Sequence, residues 1–214
     1  MKYIDLTHTF DAEMPVYPGD PIPELVQMAD LHKEGYTDYQ IKTGMHVGTH
    51  MDAPLHMLEG GKWLSDIAVE KFIGKGCLID ARGASVVNAN FLNKRPAKKG
   101  DILLVMTGFS EKYRQPEYYE KYPEIGEDFA GKAIELGVKI VGIDTPSPDR
   151  PPFKVHKLLL GKEILIIENL TNLELLIGVS DLDIFALPAK LHTEAAPVRV
   201  IAKALGVSVE DLLK

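Results

Sequence analysis

The sequence predicts an α/β fold with a mixed sheet at its core. Three observations carry that expectation: six short apolar runs rich in β-branched residues, a periodic helical segment set between two of them, and a proline-rich arm that joins neither kind of element. The runs are 77–79, 102–106, 138–143, 164–167, 184–187 and 198–202. Most are apolar throughout rather than alternating, the pattern of strands buried on both faces.

Along the chain, Pro15, Pro18, Pro21 and Pro23 with Gly19 make Met14 to Glu24 a rigid, non-helical arm. Gln40 to Met45 alternates polar and apolar residues, which predicts a half-buried strand leading into residue 46. A helix is expected over Asn88 to Lys94. Glu127 to Leu136 places Phe129, Ala130, Ala133, Ile134 and Leu136 at helical spacing, and Gly137 follows as the residue that ends the helix. Ser208 ahead of Val209-Glu210-Asp211 starts a short terminal helix, a capping box with aspartate in place of the usual Glu or Gln. No internal repeat and no linker divides the chain, and 214 residues are within reach of one core, so a single domain over 1–214 is expected.

The formal net charge is -7, which argues against nucleic acid as a partner, because phosphate binding needs a basic face. Lys94, Arg95, Lys98 and Lys99 are the densest basic group and read as a solvated loop before a strand. The single cysteine, Cys77, sits in an apolar run, so no intrachain disulfide forms and a buried, inert thiol is expected. Asp5 and His8 stand where a signal peptide would place its apolar stretch, and no segment approaches the ~18 apolar residues of a membrane span. A cytoplasmic protein without membrane partners is the expectation.

Residues 46–56 read His-Val-Gly-Thr-His-Met-Asp-Ala-Pro-Leu-His, three of the seven histidines and an aspartate within one short segment. Imidazole and carboxylate together suit Zn2+, Mn2+ or Fe2+. On a straight strand His46 and His50 would stand about 13 Å apart, too far to share an ion. The backbone must turn between them. Gly48 permits the unusual dihedrals of such a turn, and Thr49 can bond its local backbone there. His46, His50 and Asp52 then converge, while Pro54 keeps Ala53 out of helical geometry so that His56 arrives from another direction. An exposed polar strand face is the competing reading. It suits an isolated His-x-x-x-His better than this denser set.

The string His-x-Gly-Thr-His-x-Asp-Ala-Pro-x-His resembles the signature of the bacterial kynurenine formamidase and putative cyclase family, metal-dependent amide hydrolases with a swivelling β/β/α fold. The resemblance extends to Pro15-Val-Tyr-Pro-Gly-Asp20, to Asp144-Thr-Pro-Ser-x-Asp149, to His156 and to Ile167-Glu-Asn-Leu170. It implies that His46, His50 and Asp52 bind one metal, and that Asp52 is shared with a second, whose other ligands are His156 and a bridging Glu168. It implies His56 as the catalytic proton-transfer group.

Two zinc ions per chain are the implied cofactors, with manganese as the alternative. Homodimers or homotetramers are implied as well, with the arm at 14–24 completing a neighbour's pocket. Read without the family, His156 is a half-exposed helical histidine. Glu168 has a case of its own: it ends an apolar strand, where a buried carboxylate needs a compensating charge. Asp144, Ser147 and Asp149 read as residues that order the site loop. His8, His32 and His192 read as surface or structural histidines, and Trp63, Met45, Met51 and Met57 as packing residues.

The implied activity is amide hydrolysis by attack of metal-bound hydroxide, with His56 as general base and then acid. The family's reference substrate is N-formyl-L-kynurenine, a small-molecule amide cleaved to the amine and formate. Its arm carries tryptophan where this sequence has Tyr17, a substrate-contact candidate with a smaller face and an added hydroxyl. Related members open cyclic amides such as isatin, which makes a cyclic amide or imide hydrolase the alternative within the class. A catalytically silent metal-binding protein is the alternative outside it. Ser110 and Ser147 lack a nucleophile motif, and no phosphate-binding glycine loop is present.

Overall fold

A computed structural model describes residues 2–93 and 97–205. Its elements are β1 (Lys2–Asp5), β2 (Glu24–Ala29), α1 (Leu31–Glu34), β3 (Asp38–Lys42), β4 (His50–Asp52), β5 (Ile73–Asp80), β6 (Val86–Val87), α2 (Asn90–Asn93), β7 (Ile102–Met106), β8 (Glu124–Ile125), α3 (Glu127–Leu136), β9 (Ile140–Ile143), α4 (Lys154–Leu160), β10 (Leu165–Glu168), β11 (Asp181–Pro188) and β12 (Ala195–Leu205).

The main sheet closes on itself. Its strands run β12-β11-β5-β7-β9-β10-β4, and β4 pairs back onto β12, with β1 laid along the later half of β12. The four central strands β5, β7, β9 and β10 are parallel to one another, and the remaining pairings of this sheet are antiparallel. The fold is therefore mixed α/β, with the mixed central sheet that the sequence leads one to expect, closed into a barrel-like form and accompanied by few helices.

Side-chain alternation sorts the core into two faces. Leu78, Ile102, Leu104, Met106, Ile140, Leu165 and Ile167 join Leu182, Ile184, Ala186, Val198, Val200 and Ala202 in one cluster on the face away from the helices. Cys77, Ile79, Leu103, Val105, Val141, Ile143 and Ile166 point the opposite way, onto Phe129, Ala130 and Ala133 of α3 and Val155, Leu159 and Leu160 of α4. The continuous apolar runs of the central strands follow from this double burial. β11 and β12 alternate because helices do not cover their outer face, which carries Asp181, Asp183, Arg199 and Lys203.

The α3 helix covers the expected span, and Gly137, at φ 69°, donates to the carbonyls of Ala133 and Ile134 to end it. The 88–94 helix is a single turn, Asn90–Asn93, with Lys94 and Arg95 outside the described residues. The helix expected from Ser208 also lies outside them. The half-buried strand expected at 40–45 is a different object: β3 stops at Lys42, is exposed along its whole length, and pairs with β2 in a two-stranded ribbon. Its alternation is real, yet no core meets either face. Trp63 is 38% exposed and stacks on His192 with ring centroids 4.2 Å apart instead of joining the core. Among the described residues, no helix is long and apolar enough to cross a membrane.

Candidate metal centre and its cavity

Strand alternation builds the centre of the site. Met51, the middle residue of β4, points into the first core cluster, so His50 and Asp52 on either side of it face the opposite way. Across the antiparallel pairing Glu168 stands opposite His50 and Ile166 opposite Asp52. His50, Asp52 and Glu168 thereby share one face, 1%, 0% and 6% exposed.

The turn before β4 delivers His46. Residues 45–49 bend, and Gly48 adopts φ 69°, where a Cβ would lie 2.5 Å from the Met14 methyl. His46 Nδ1 lies 3.0 Å from Asp52 Oδ1, and the His46 and His50 rings are 5.0 Å apart. Thr49 does not bond its own turn. Its hydroxyl donates to the Asn169 carbonyl at 2.6 Å and accepts from the backbone N–H of His8. Beyond β4, Ala53 is extended (φ -101°, ψ 164°), as a residue before proline should be, and a 3-10 turn over Pro54–His56 brings His56 back beside His46, ring centroids 4.1 Å apart.

His156 arrives from α4, the helix laid over this face of the sheet. It is 2% exposed, in contrast to the half-exposed helical position that its local sequence suggests. Its Nε2 lies 3.2 Å from Glu168 Oε1 and 3.9 Å from Asp52 Oδ2, while Nδ1 meets Asp149 Oδ1 at 2.5 Å. Asp149 is thus more than a loop residue, because its other oxygen accepts the Val155 N–H near the start of α4. Asp144 does order its loop, accepting the N–H groups of Thr107 and Gly108 and the Thr107 hydroxyl.

The donor set fits divalent cations. His50 Nε2 and both Asp52 oxygens are buried with no hydrogen-bond partner, a costly arrangement unless something else satisfies them. Ligand atoms of His46, Asp52 and His56 lie within 4.8 Å of one another, as do those of His50, Asp52 and Glu168. Asp52 belongs to both groups, the position of a shared carboxylate. This grouping sets His56 close enough to be a ligand itself and leaves His156 at the edge through Glu168.

Electrostatics point the same way. Burial lowers the affinity of His46 for a proton, but Asp52 outweighs it and lifts the pKa to about 9. At His156 burial is likewise outweighed, by Asp149 and Glu168, and the value rises to about 10. Asp52 and Glu168 are held below the usual carboxylate range, burial being overcome by the histidines around them. Two buried carboxylates thus gather protons on their neighbours, and a cation bound there would take the place of those protons. His56 behaves differently: burial dominates and lowers it, leaving a neutral imidazole near pH 7.

A cavity of about 210 Å³ opens onto these groups. His46, His56, His156 and Glu168 form its polar wall, and Tyr17, Tyr119 and Phe153 its aromatic one. Tyr17 and Tyr119 meet edge to face at 5.6 Å. Glu194, which the sequence reading passes over, faces His46 Nε2 at 3.5 Å; its backbone carbonyl accepts from Ala53 at the point where β12 meets β4. Only the register of two strands far apart in sequence brings it there.

Comparison with known proteins agrees with this architecture. An uncharacterised protein of Methanocaldococcus jannaschii is 37% identical over 206 residues, covering 94% of this chain and 99% of its own. A kynurenine formamidase of Bacillus thuringiensis subsp. konkukian is 27% identical, covering 94% and 97%. Among solved structures, a potential metal-dependent hydrolase with cyclase activity matches with a TM-score of 0.78 at 29% identity over 94% of this chain and 96% of its own. Isatin hydrolase A from Labrenzia aggregata matches the fold with a TM-score of 0.84 at 23% identity, covering 94% and 93%. The putative cyclase family model matches residues 4–150, more than half of the sequence and inclusive of the His46–His56 segment. On these grounds the chain belongs to the putative cyclase family.

Proposed function

We propose that this chain is a metal-dependent hydrolase of carbon–nitrogen bonds, with a formylated aromatic amine such as N-formyl-L-kynurenine as its substrate. One observation carries the reading: buried ligand atoms of His50 and Asp52 that form no hydrogen bond lie beside an aromatic-lined cavity that also receives His56. His46, His50, Asp52, His156 and Glu168 would hold two divalent ions, zinc first and manganese as the alternative. Such ions, when bound, acidify a water molecule and polarise the amide carbonyl. His56, neutral near pH 7, accepts a proton from the nucleophile and returns it to the leaving nitrogen, a role typically contributing ~10²- to 10⁴-fold. Tyr17, Tyr119 and Phe153 stack on the substrate's ring.

A cyclic amide of the isatin type is the second reading. Tyr17 in place of tryptophan favours it, as does the modest cavity volume. For quaternary structure the proposal is a homodimer or homotetramer. The β2–β3 ribbon exposes Val26, Met28, Tyr39 and Ile41, and an isolated two-stranded hairpin is at best marginally stable in water. Elution as a fully active monomer would remove this part of the proposal.

The test is elemental analysis of untagged protein, paired with N-formyl-L-kynurenine hydrolysis before and after chelation. Near two ions per chain and chelator-sensitive turnover support the reading. Bound metal with turnover only of cyclic amides selects the second reading, and bound metal with no amide turnover selects a silent metal-binding protein. Failure to bind metal after reconstitution overturns all three.

A further inference from the structure

Each histidine that faces Asp52 or Glu168 must aim one nitrogen at the carboxylates, which requires control of the other. His156 has Asp149 for this purpose. His50 has only a backbone carbonyl: its Nδ1 lies 2.8 Å from the oxygen of Gly48. A carbonyl accepts and never donates, so Nδ1 carries the proton and Nε2 is turned towards Glu168 at 3.2 Å and Asp52 at 3.5 Å. The aim of His50 is therefore as good as the placement of the Gly48 carbonyl, and that carbonyl belongs to a left-handed glycine in a turn.

A buried side chain fixes it. The Asn169 amide donates from Nδ2 to the same Gly48 oxygen at 3.0 Å. Asn169 is itself held on three sides: the Tyr118 hydroxyl donates to its Oδ1 at 2.8 Å, its backbone N–H donates to Thr145 at 3.0 Å, and its carbonyl accepts the Thr49 hydroxyl at 2.6 Å. The alternative amide orientation would set Oδ1 against the Gly48 oxygen, two acceptors face to face, so the network admits one orientation. Asn169 is 4% exposed and Tyr118 fully buried, so a bond lost between them is costly. Asn169 also directly follows Glu168, so one short segment supplies a ligand from its last strand residue and a brace from the next.

We infer that Asn169, oriented by Tyr118, is the positioning residue of His50, holding the Gly48 carbonyl so that His50 offers Nε2 to the site it shares with Asp52 and Glu168. Its effect on metal binding rests on the metal-centre reading; its effect on the His50 ring does not.

Two variants test this. Asn169→Asp keeps the shape and tolerates the residue's φ of 56°, but replaces the donor with an acceptor. The added negative charge would by itself strengthen cation binding, so a weakening reports the lost donor. Tyr118→Phe keeps the ring packing and frees the amide to turn. Zinc affinity is measured by competition with a chromophoric chelator, the His50 ring by ¹H–¹⁵N spectra of the metal-free protein, and folding by thermal denaturation.

The expected result for Asn169→Asp is a ~10- to 100-fold loss of zinc affinity together with loss of the hydrogen-bonded Nδ1–H signal of His50. Tyr118→Phe shows a smaller change of the same kind. Folded variants with an unaltered His50 ring signal overturn the inference, as does a lower melting temperature alone. A wild-type chain that takes up no zinc overturns the metal reading instead, and the ring signal still decides the role of Asn169.

Discussion

Oδ1 of Asp149 and Nδ1 of His156 lie 2.5 Å apart, a buried carboxylate bonded to the outer nitrogen of a histidine whose inner nitrogen faces Glu168. The contact fixes the ring and raises its basicity. Asp149→Asn should therefore cost ~10- to 100-fold in zinc affinity, measured by chelator competition. An affinity equal to that of the wild type would remove Asp149 from this role.

His56 distinguishes two uses of one ring. If it moves protons, His56→Ala keeps its full complement of metal and loses ~10²- to 10⁴-fold in turnover of a formylated aromatic amine. Its nearness to His46 and Asp52 supplies the contrary outcome, a protein short of one ion per chain, which would make it a ligand.

His8 gives a prediction about pH. Its ring stacks on Tyr113 with centroids 3.7 Å apart, and its Nε2 is buried without a partner. Burial, aided by the Arg114 charge, lowers it to about 4 from 6.5. Between those values the unfolded chain binds a proton that the native chain refuses. Stability from this group is thus complete above pH 6.5 and lost as the pH falls towards 4, by up to about 3 kcal/mol. His8→Phe keeps a ring on Tyr113 and should flatten that part of the acid side of a denaturant-midpoint profile; an unchanged wild-type slope would refute it.

Phe129 is fully buried where α3 meets the sheet. Phe129→Ala should cost about 3–5 kcal/mol in urea unfolding. A loss under 1 kcal/mol would mean that the helix layer collapses into the gap.

How far the sequence reveals this molecule depends on where each residue's partners lie. Ile102–Met106 and Glu127–Leu136 are legible because double burial and helical periodicity write themselves into consecutive residues. So is the His46–His56 segment, whose ligand chemistry is concentrated in one stretch. Gln40–Lys42 misleads, since alternation shows that a strand has two unlike faces and says nothing of whether a core meets one. His156 has a polar neighbourhood in sequence and a buried one in space, because α4 lies over β10. Glu194 and Asn169 are invisible for the same reason: one is brought by strand register across more than a hundred residues, the other is a brace for a backbone carbonyl.

The pairing of β4 with both β10 and β12 has a temporal side. His46, His50, Asp52, His56, His156 and Glu168 all precede residue 169, whereas the strand that locks β4 in place begins at Ala195. During synthesis all six side chains emerge from the ribosome before β12, the strand that closes the sheet onto β4. In a growing chain the β10 partner of β4 is therefore made before its β12 partner, and the closed sheet around these six side chains is complete only with the last strand.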